Sequence, residues 1–296
     1  PADLAGFRCD VTVTGLDGAA LATVTPTFQT QNAATMLSVA ERVRQPMAAI
    51  MAVTPKILPV LEELPDRTLM NRASELNKGL YSILRITGNL ELYAGGRIVL
   101  HQNQVELGAW LQRLVDEIAP MLQKLDLRLE FQQIEGCCLC SLDERHMQQA
   151  MLNLLSNAIK FSLPGGTITL SYQRSGSQVW IAVRDQGIGI SADQMGLVFH
   201  RSEHRGLLPD PLWGTGLGLP VARSIVEAHG GRLLLESQED VGTVAYIALE
   251  SHSDPDQCML RSPVQLPADC RGINQVLIGL ADVLPASVFD TRGVDL

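Results

Sequence analysis

The chain has 296 residues, 46% of them hydrophobic, and a formal net charge of −9. That is enough apolar material to bury a core in about two domains, which excludes a disordered chain. With 23 Lys and Arg against 32 Asp and Glu, and neither cation gathered into a patch, nucleic acid and anionic membrane surfaces are excluded as main partners.

Residues 1–30 alternate over Cys9 to Thr14, turn at Leu16-Asp17-Gly18 and return over Leu21 to Thr25, which predicts a β-hairpin. A lone hairpin is not stable in water, so this one reads as the end of an upstream domain or an edge added to a partner. The first residue is not Met and no signal-peptide pattern precedes it, as in a fragment or processed form that has lost its sensor.

Residues 31–96 carry two heptad stripes. The first runs through Met36, Val39, Val43, Ile50, Val53, Ile57, Val60 and Leu64, with Pro46 in the missing place. Pro46, Pro55 and Pro59 predict that this helix is bent or broken. After a turn at Pro65-Asp66 the second stripe follows Leu69, Ala73, Leu76, Leu80, Ile83, Thr87 and Leu90, and Gly95-Gly96 ends it. An antiparallel helical hairpin of this size has too little core of its own, so a second copy is expected to complete a dimeric four-helix bundle.

Residues 97–250 change to an α/β rhythm. Helices are predicted over Val105–Gln123, Glu144–Phe161 and Leu217–His229, and strands over Leu127–Gln133, Cys137–Leu142, Thr167–Gln173, Val179–Asp185, Arg232–Ser237 and Thr243–Leu249. One sheet with helices on one face makes a two-layer α/β sandwich, and the whole chain is of the α+β class. Cys137 and Cys140 have a metal-ligand spacing, but no second pair or nearby His completes a site, so a buried or edge strand is the preferred reading. Six scattered cysteines make no disulfide framework and fit a reducing cytoplasm.

Residues 251–296 begin with an extended Pro263-to-Pro267 linker and continue with an apolar helix over Ile273–Leu284. Docking back on the preceding domain is favoured over a partner-binding role. The richest apolar stretch, Val276 to Phe289, is broken by Asp282 and Pro285, so it does not span a bilayer.

Three stretches carry chemistry. Asn153 and Asn157 stand four apart on one helix face, where amide oxygens can ligate a hard cation such as Mg²⁺ beside phosphate oxygens, and Lys160 adds charge nearby. Asp185-Gln-Gly187-Ile-Gly189 ends a strand; its carboxylate can accept from an exocyclic amine while the glycines admit a flat ring. Gly214-Thr-Gly216-Leu217-Gly218 opens a helix whose free N–H groups can cradle phosphate, and Pro220 suits its first turn. Each alone is weak, since Asn-rich faces and glycine turns are common.

Their order and spacing resemble the N, G1, F and G2 boxes of histidine-kinase-type ATPases, the catalytic domain of two-component sensor kinases. The resemblance runs from about Gln31 to Glu250 and is most specific over Asp143 to Gly231. Phe199 and Arg201 look like the F box, His200 to Trp213 like the ATP lid, and Gly242-Thr243 like the closing strand motif. By position, the resemblance implies ATP and Mg²⁺ as cofactors. Asp185 would read adenine, Asn157 would hold Mg²⁺, Asn153 and Lys160 would contact phosphates, and Gly214, Gly216 and Gly218 would form the cradle. Relatives that hydrolyse ATP themselves usually carry Glu where this chain has Asn153.

The helical hairpin looks like the family's dimerisation and phosphotransfer domain, which implies a homodimer and a response regulator receiver domain as partner. Here the sequence departs from the family. Glu41-Arg-Val-Arg-Gln45-Pro46 stands where a His-Glu-x-x-Thr/Asn-Pro pattern is expected, and the heptad puts Glu41 on the outward face where the phosphoacceptor should be. A carboxylate cannot form a phosphoramidate; only an acyl phosphate is open to it. Arg42 also replaces the acid that would assist proton removal. Gln45 remains where the family orients water for dephosphorylation of the regulator. The resemblance therefore implies a cytoplasmic sensor-kinase transferase, with an ATP-binding pseudokinase scaffold as the alternative; an engineered His-to-Glu form of an active kinase would read the same.

Overall fold

Strand alternation and helix periodicity are both realised in the computed structural model, which describes residues 8–16, 19–27, 37–40, 42–44, 50, 67–95, 98–133, 138–191, 195, 216–251 and 274–289. Strands β1 (Arg8–Leu16) and β2 (Ala19–Thr27) pair antiparallel from Arg8 opposite Thr27 to Leu16 opposite Ala19, the hairpin expected from the alternation. Helix α1 is Arg67–Ala94. Glu41, Gln45, the three helix prolines and the Pro263–Pro267 linker lie outside the described residues.

Strand β3 (Asn103–Glu106) leads into helix α2 (Leu107–Leu122), which is followed by β4 (Arg128–Gln133), β5 (Leu139–Leu142) and helix α3 (Glu144–Phe161). Then come β6 (Thr167–Ser175), β7 (Gln178–Arg184), helix α4 (Gly218–Ala228), β8 (Arg232–Gln238) and β9 (Gly242–Glu250). Five strands form the sheet in the order β4-β6-β7-β9-β8, with only the β4–β6 pair parallel. One face of it is dry: Ile168, Leu170 and Tyr172 of β6 and Val179, Ile181 and Val183 of β7 are buried at every second position. Helices α2, α3 and α4 supply the opposing apolar layer, including Leu111, Ile118, Met151, Leu155, Val221 and Ile225.

The expectation of a single sheet is corrected. Strand β5 pairs with β3 in a separate two-stranded ladder, Asn103 opposite Leu142 to Glu106 opposite Leu139. The cause is local: the Glu106 carboxylate accepts the N–H groups of Gly108 and Ala109 and so caps α2, while the Leu107 N–H donates to the Cys138 carbonyl at 2.8 Å. A residue at the N-cap is extended, so Val105 and Glu106 join a strand and the helix starts at Leu107 instead of Val105. Cys138 and Cys140 are buried free thiols at this ladder, 3.9 Å apart. Among the described residues no group of three His, Cys, Asp or Glu side chains could hold a metal.

The heptad stripe of α1 is divided. Leu69, Leu76 and Ile83 are exposed, while Leu80 and Thr87 are buried. A second face that the heptad did not reveal, Ser74, Asn77 and Tyr81, is also buried, because the C-terminal segment covers it. That segment is shorter in helix than expected: α5 is Gln275–Gly279, capped by the Asn274 carboxamide, and gives way to turns and a single 3₁₀ turn at Ala286–Val288. Its Val276, Leu277, Leu280, Ala281, Leu284 and Phe289 are buried. The Asn77 amide donates to the Phe289 carbonyl at 2.8 Å, and the Tyr81 and Phe289 rings lie 5.3 Å apart. The segment thus docks on α1 as well as on α3. No helix among the described residues is long and apolar enough to cross a membrane.

Gly279 shows how tight this docking is, since a Cβ there would stand 2.6 to 3.0 Å from Cδ1, Cβ and Cγ of Leu152. Gly279→Val should therefore destabilise the protein by about 1–3 kcal/mol, the usual cost of overpacking, seen as a lowered denaturant midpoint.

Candidate functional site

Asp185 follows the last residue of β7 and is 8% exposed. Its Oδ1 accepts the N–H groups of Gly187 at 2.9 Å and Thr243 at 3.2 Å, and its own N–H donates to the Thr243 carbonyl at 2.9 Å. With Oδ1 so engaged, Oδ2 is the oxygen left to meet a ligand's amine. Burial pushes the Asp185 carboxyl above the usual carboxylate range, against the two N–H groups that pull it down.

The loop after Asp185 is fastened to two other elements. The Ile188 N–H donates to the Phe161 carbonyl at the end of α3, and the Asp240 N–H, in the β8–β9 turn, donates to the Ile188 carbonyl. Gly187 is required because a Cβ would run into the Phe161 carbonyl, and Gly189 because it holds φ at 65° against the Gln238 carbonyl. Ser237 Oγ accepts the Ile190 N–H at 2.8 Å and lies 2.8 Å from Thr243 Oγ1. The predicted glycine turn is therefore a loop fastened on both sides, next to a carboxylate held in place.

Helix α3 supplies the other wall. Asn153 is 2% exposed, whereas Asn157 and Lys160 are partly buried, with Lys160 Nζ 5.3 Å from the Phe161 ring centre. The start of α4 faces Asn153 so closely that a Cβ on Gly218 would lie 3.5 Å from its Oδ1. Leu217 is buried and anchors that start, and Gly216, with φ at 65°, is exposed. Asn153, Gly218, Asp185, Gly187, Gly189 and Thr243 are thus joined through direct contacts between α3, α4, the β7 loop and β9. Phe199, Arg201, Gly214 and the 200–213 lid lie outside the described residues.

Three residues were not anticipated. Asn89 of α1 exchanges amide hydrogen bonds with Asn153, donating to its Oδ1 at 3.2 Å and accepting from its Nδ2 at 3.3 Å, and accepts from Gln149 Nε2 at 3.0 Å. Nothing in the heptad marks Asn89, which lies on the side of α1 roughly opposite the stripe. Asp143 caps α3 by accepting the His146 N–H, and also accepts the His101 N–H at 2.8 Å. Its own N–H donates to His229 Nε2 at 3.0 Å, while His229 Nδ1 lies 2.7 Å from the Ile225 carbonyl. These contacts fix the neutral Nδ1–H tautomer, and burial lowers the His229 pKa. Although a helix end favours a cation, His229 is a neutral strut joining α4 to the cap of α3.

Residues 142–253 match the family described as "Histidine kinase-, DNA gyrase B-, and HSP90-like ATPase". Sporulation kinase C of Bacillus subtilis is 30% identical over 137 residues, covering 45% of this chain and 30% of that protein. The adaptive-response sensory kinase SasA of Prochlorococcus marinus is 38% identical over 108 residues, 36% of this chain and 29% of the relative. The sensor protein KdpD of Clostridium acetobutylicum is 30% identical over 206 residues, 66% of this chain and 22% of the relative. The chain therefore spans less than a third of the length of each of these relatives. Full-length ShkA, solved in complex with AMPPNP, shares the fold with a TM-score of 0.59 at 18% identity, covering 73% of this chain and 45% of that one.

The His229 strut sets a pH dependence. A histidine whose folded pKa is depressed stabilises the fold above its unfolded value of about 6.5 and loses that contribution as pH falls through it. Urea midpoints should drop between about pH 7.5 and about pH 5.5, on either side of the unfolded value, in the wild type and drop less in His229→Gln.

Proposed function

We propose, from the premise that residues 142–253 are a histidine-kinase-type ATPase domain homologous to those of two-component sensor kinases, that this chain binds Mg-ATP and acts on a response regulator. The observation that carries the reading is the buried Asp185 carboxylate, held by the N–H groups of Gly187 and Thr243 on a glycine loop packed against the Phe161 and Gln238 carbonyls. Asp185 Oδ2 accepts the adenine amine. Asn157 holds Mg²⁺, which would neutralise charge between phosphate oxygens, and Lys160 with the N-terminus of α4 and Gly214, Gly216 and Gly218 takes the phosphates. Phe199 and Arg201 correspond to the F box by position in the sequence.

Asn153 is an amide and cannot take a proton from water as a Glu would, which favours transfer to a protein recipient over hydrolysis. The exposed Leu69, Leu76 and Ile83 form the face on which a second copy builds the four-helix bundle, in the cytoplasm. The regulator's receiver domain docks on that bundle, where Gln45 orients water for dephosphorylation.

A second reading is favoured by one specific residue. Glu41 occupies the phosphoacceptor position with a permanent negative charge, as a pseudokinase scaffold would. Incubation with γ-labelled ATP separates the two: an acid- or base-sensitive label on the wild type supports transfer, and label on Glu41→His alone supports the scaffold. Under either reading Asp185→Asn should weaken ATP binding by roughly 10- to 100-fold, the value of one hydrogen bond to a charged group, measured by calorimetric titration.

A further inference from the structure

Helix α1 and the C-terminal segment meet α3 within the turns that carry the candidate phosphate and Mg²⁺ residues. Arg85 and Asn89, one turn apart on α1, reach Ser156 and Asn153, which are three apart on α3. Arg85 Nη2 donates to Ser156 Oγ at 3.0 Å. Asp282, just beyond α5, ion-pairs with Arg85 and accepts from the Ser156 hydroxyl at 3.1 Å. One carboxylate of the C-terminal segment therefore ties α1 and α3 together, and Asn89 closes over Asn153 one turn further along.

Asn153 is 2% exposed and Ser156 1% exposed, so the Asn89 pair is sheltered from water, while Asp282 closes the triad from its exposed side. Both ends of the Asn153 amide are taken by Asn89. A phosphate oxygen that takes the Asn153 N–H now given to Asn89 displaces α1, and that withdrawal breaks the Asn89 pair and strains the Arg85–Asp282–Ser156 triad. The apolar seat of the segment, Val276, Leu277, Leu280 and Leu284, holds Asp282 in place while the triad is intact.

We propose that residues 274–289 are an intramolecular strap that clamps α1 onto α3 through Asp282, Arg85 and Ser156, so that Asn89 keeps Asn153 from the nucleotide until the strap lets go. The proposal rests on the nucleotide reading of the Asp185 site and adds the regulation of that site. The strap has two layers with different jobs. Its apolar residues belong to the fold, and its single carboxylate sets how firmly α1 is held.

The test uses the full chain with three variants that leave the apolar seat untouched: Asp282→Ala, Asn89→Ala, and the double variant Arg85→Met/Asp282→Ala, which strands no charge. Thermal melts establish that each is folded. ATP affinity by calorimetric titration should rise roughly three- to tenfold in each, as expected when one or two neutral or charge-assisted bonds no longer oppose binding. Hydrogen exchange should quicken at the amides of 85–94 in the variants, and in the wild type on saturation with Mg-ATP. Affinity that is unchanged or weaker in folded Asp282→Ala and in the double variant overturns the strap while the wild type still binds ATP. No binding by the wild type or by any variant overturns the nucleotide reading, and the strap with it.

Discussion

Helix α3 is buried on nearly every side, and a polar group carried into such a setting must find a hydrogen-bond partner or cost about 1–3 kcal/mol. Its apolar residues, from Met147 through Met151 and Leu155 to Ile159, pack on the sheet and on α4. Asn153 and Ser156 cannot avoid burial once those residues are seated. Their partners come from sequence-distant elements: Asn89 and Arg85 from α1, Asp282 from beyond α5. The placement of α1 and of the C-terminal segment follows from satisfying α3.

The same constraint orders the two ends of the site. At the C-terminal end of α3 the Phe161 carbonyl takes the Ile188 N–H and fixes the glycine loop that presents Asp185. At its N-terminal end Asp143 caps the helix and, through His229, ties it to the end of α4. Since α4 begins against Asn153 and ends against Asp143, its direction across α3 is set at two points. Glycines occur where backbone must approach backbone, as at Gly187 and Gly242, which stand against the carbonyls of Phe161 and Asp185. The site is a meeting of main chains, with few side chains needed to define it.

That explains how much could be read in advance. Asp185, Gly187 and Gly189 were legible because their requirements are local: a strand end, a φ that favours glycine, a carbonyl close by. That Asn153 and Asn157 share one side of a helix was legible from periodicity, and the span of α3 matches its prediction from Glu144 to Phe161. The separate β3–β5 ladder was not, since the capping role of Glu106 outweighs the apolar rhythm that made Val105 look helical. Asn89, Arg85 and Asp282 could not be found because their partners lie 64, 71 and 126 residues away. A heptad pattern reports only the faces that are apolar, and the second buried face of α1 is held largely by Ser74, Asn77 and Asn89.

Helix α1 has to serve two surfaces at once. Leu69, Leu76 and Ile83 lie within about 40° of one another around its axis, and Tyr81, Arg85 and Asn89 lie roughly opposite, given about 100° per residue. The first set is exposed and apolar, while the second is committed to the C-terminal segment and α3. A helix of 28 residues is stiff over this length, so a turn of α1 about its axis that improves the cover over Leu76 and Ile83 must also move Arg85 and Asn89. Polar contacts with defined directions tolerate such a turn poorly, whereas the apolar contact of Phe289 with Tyr81 tolerates small rotations. In the proposed dimer, coupling between the copy that covers the outer stripe and what Asn153 can touch would be a property of one rigid helix and would need no longer chain of residues.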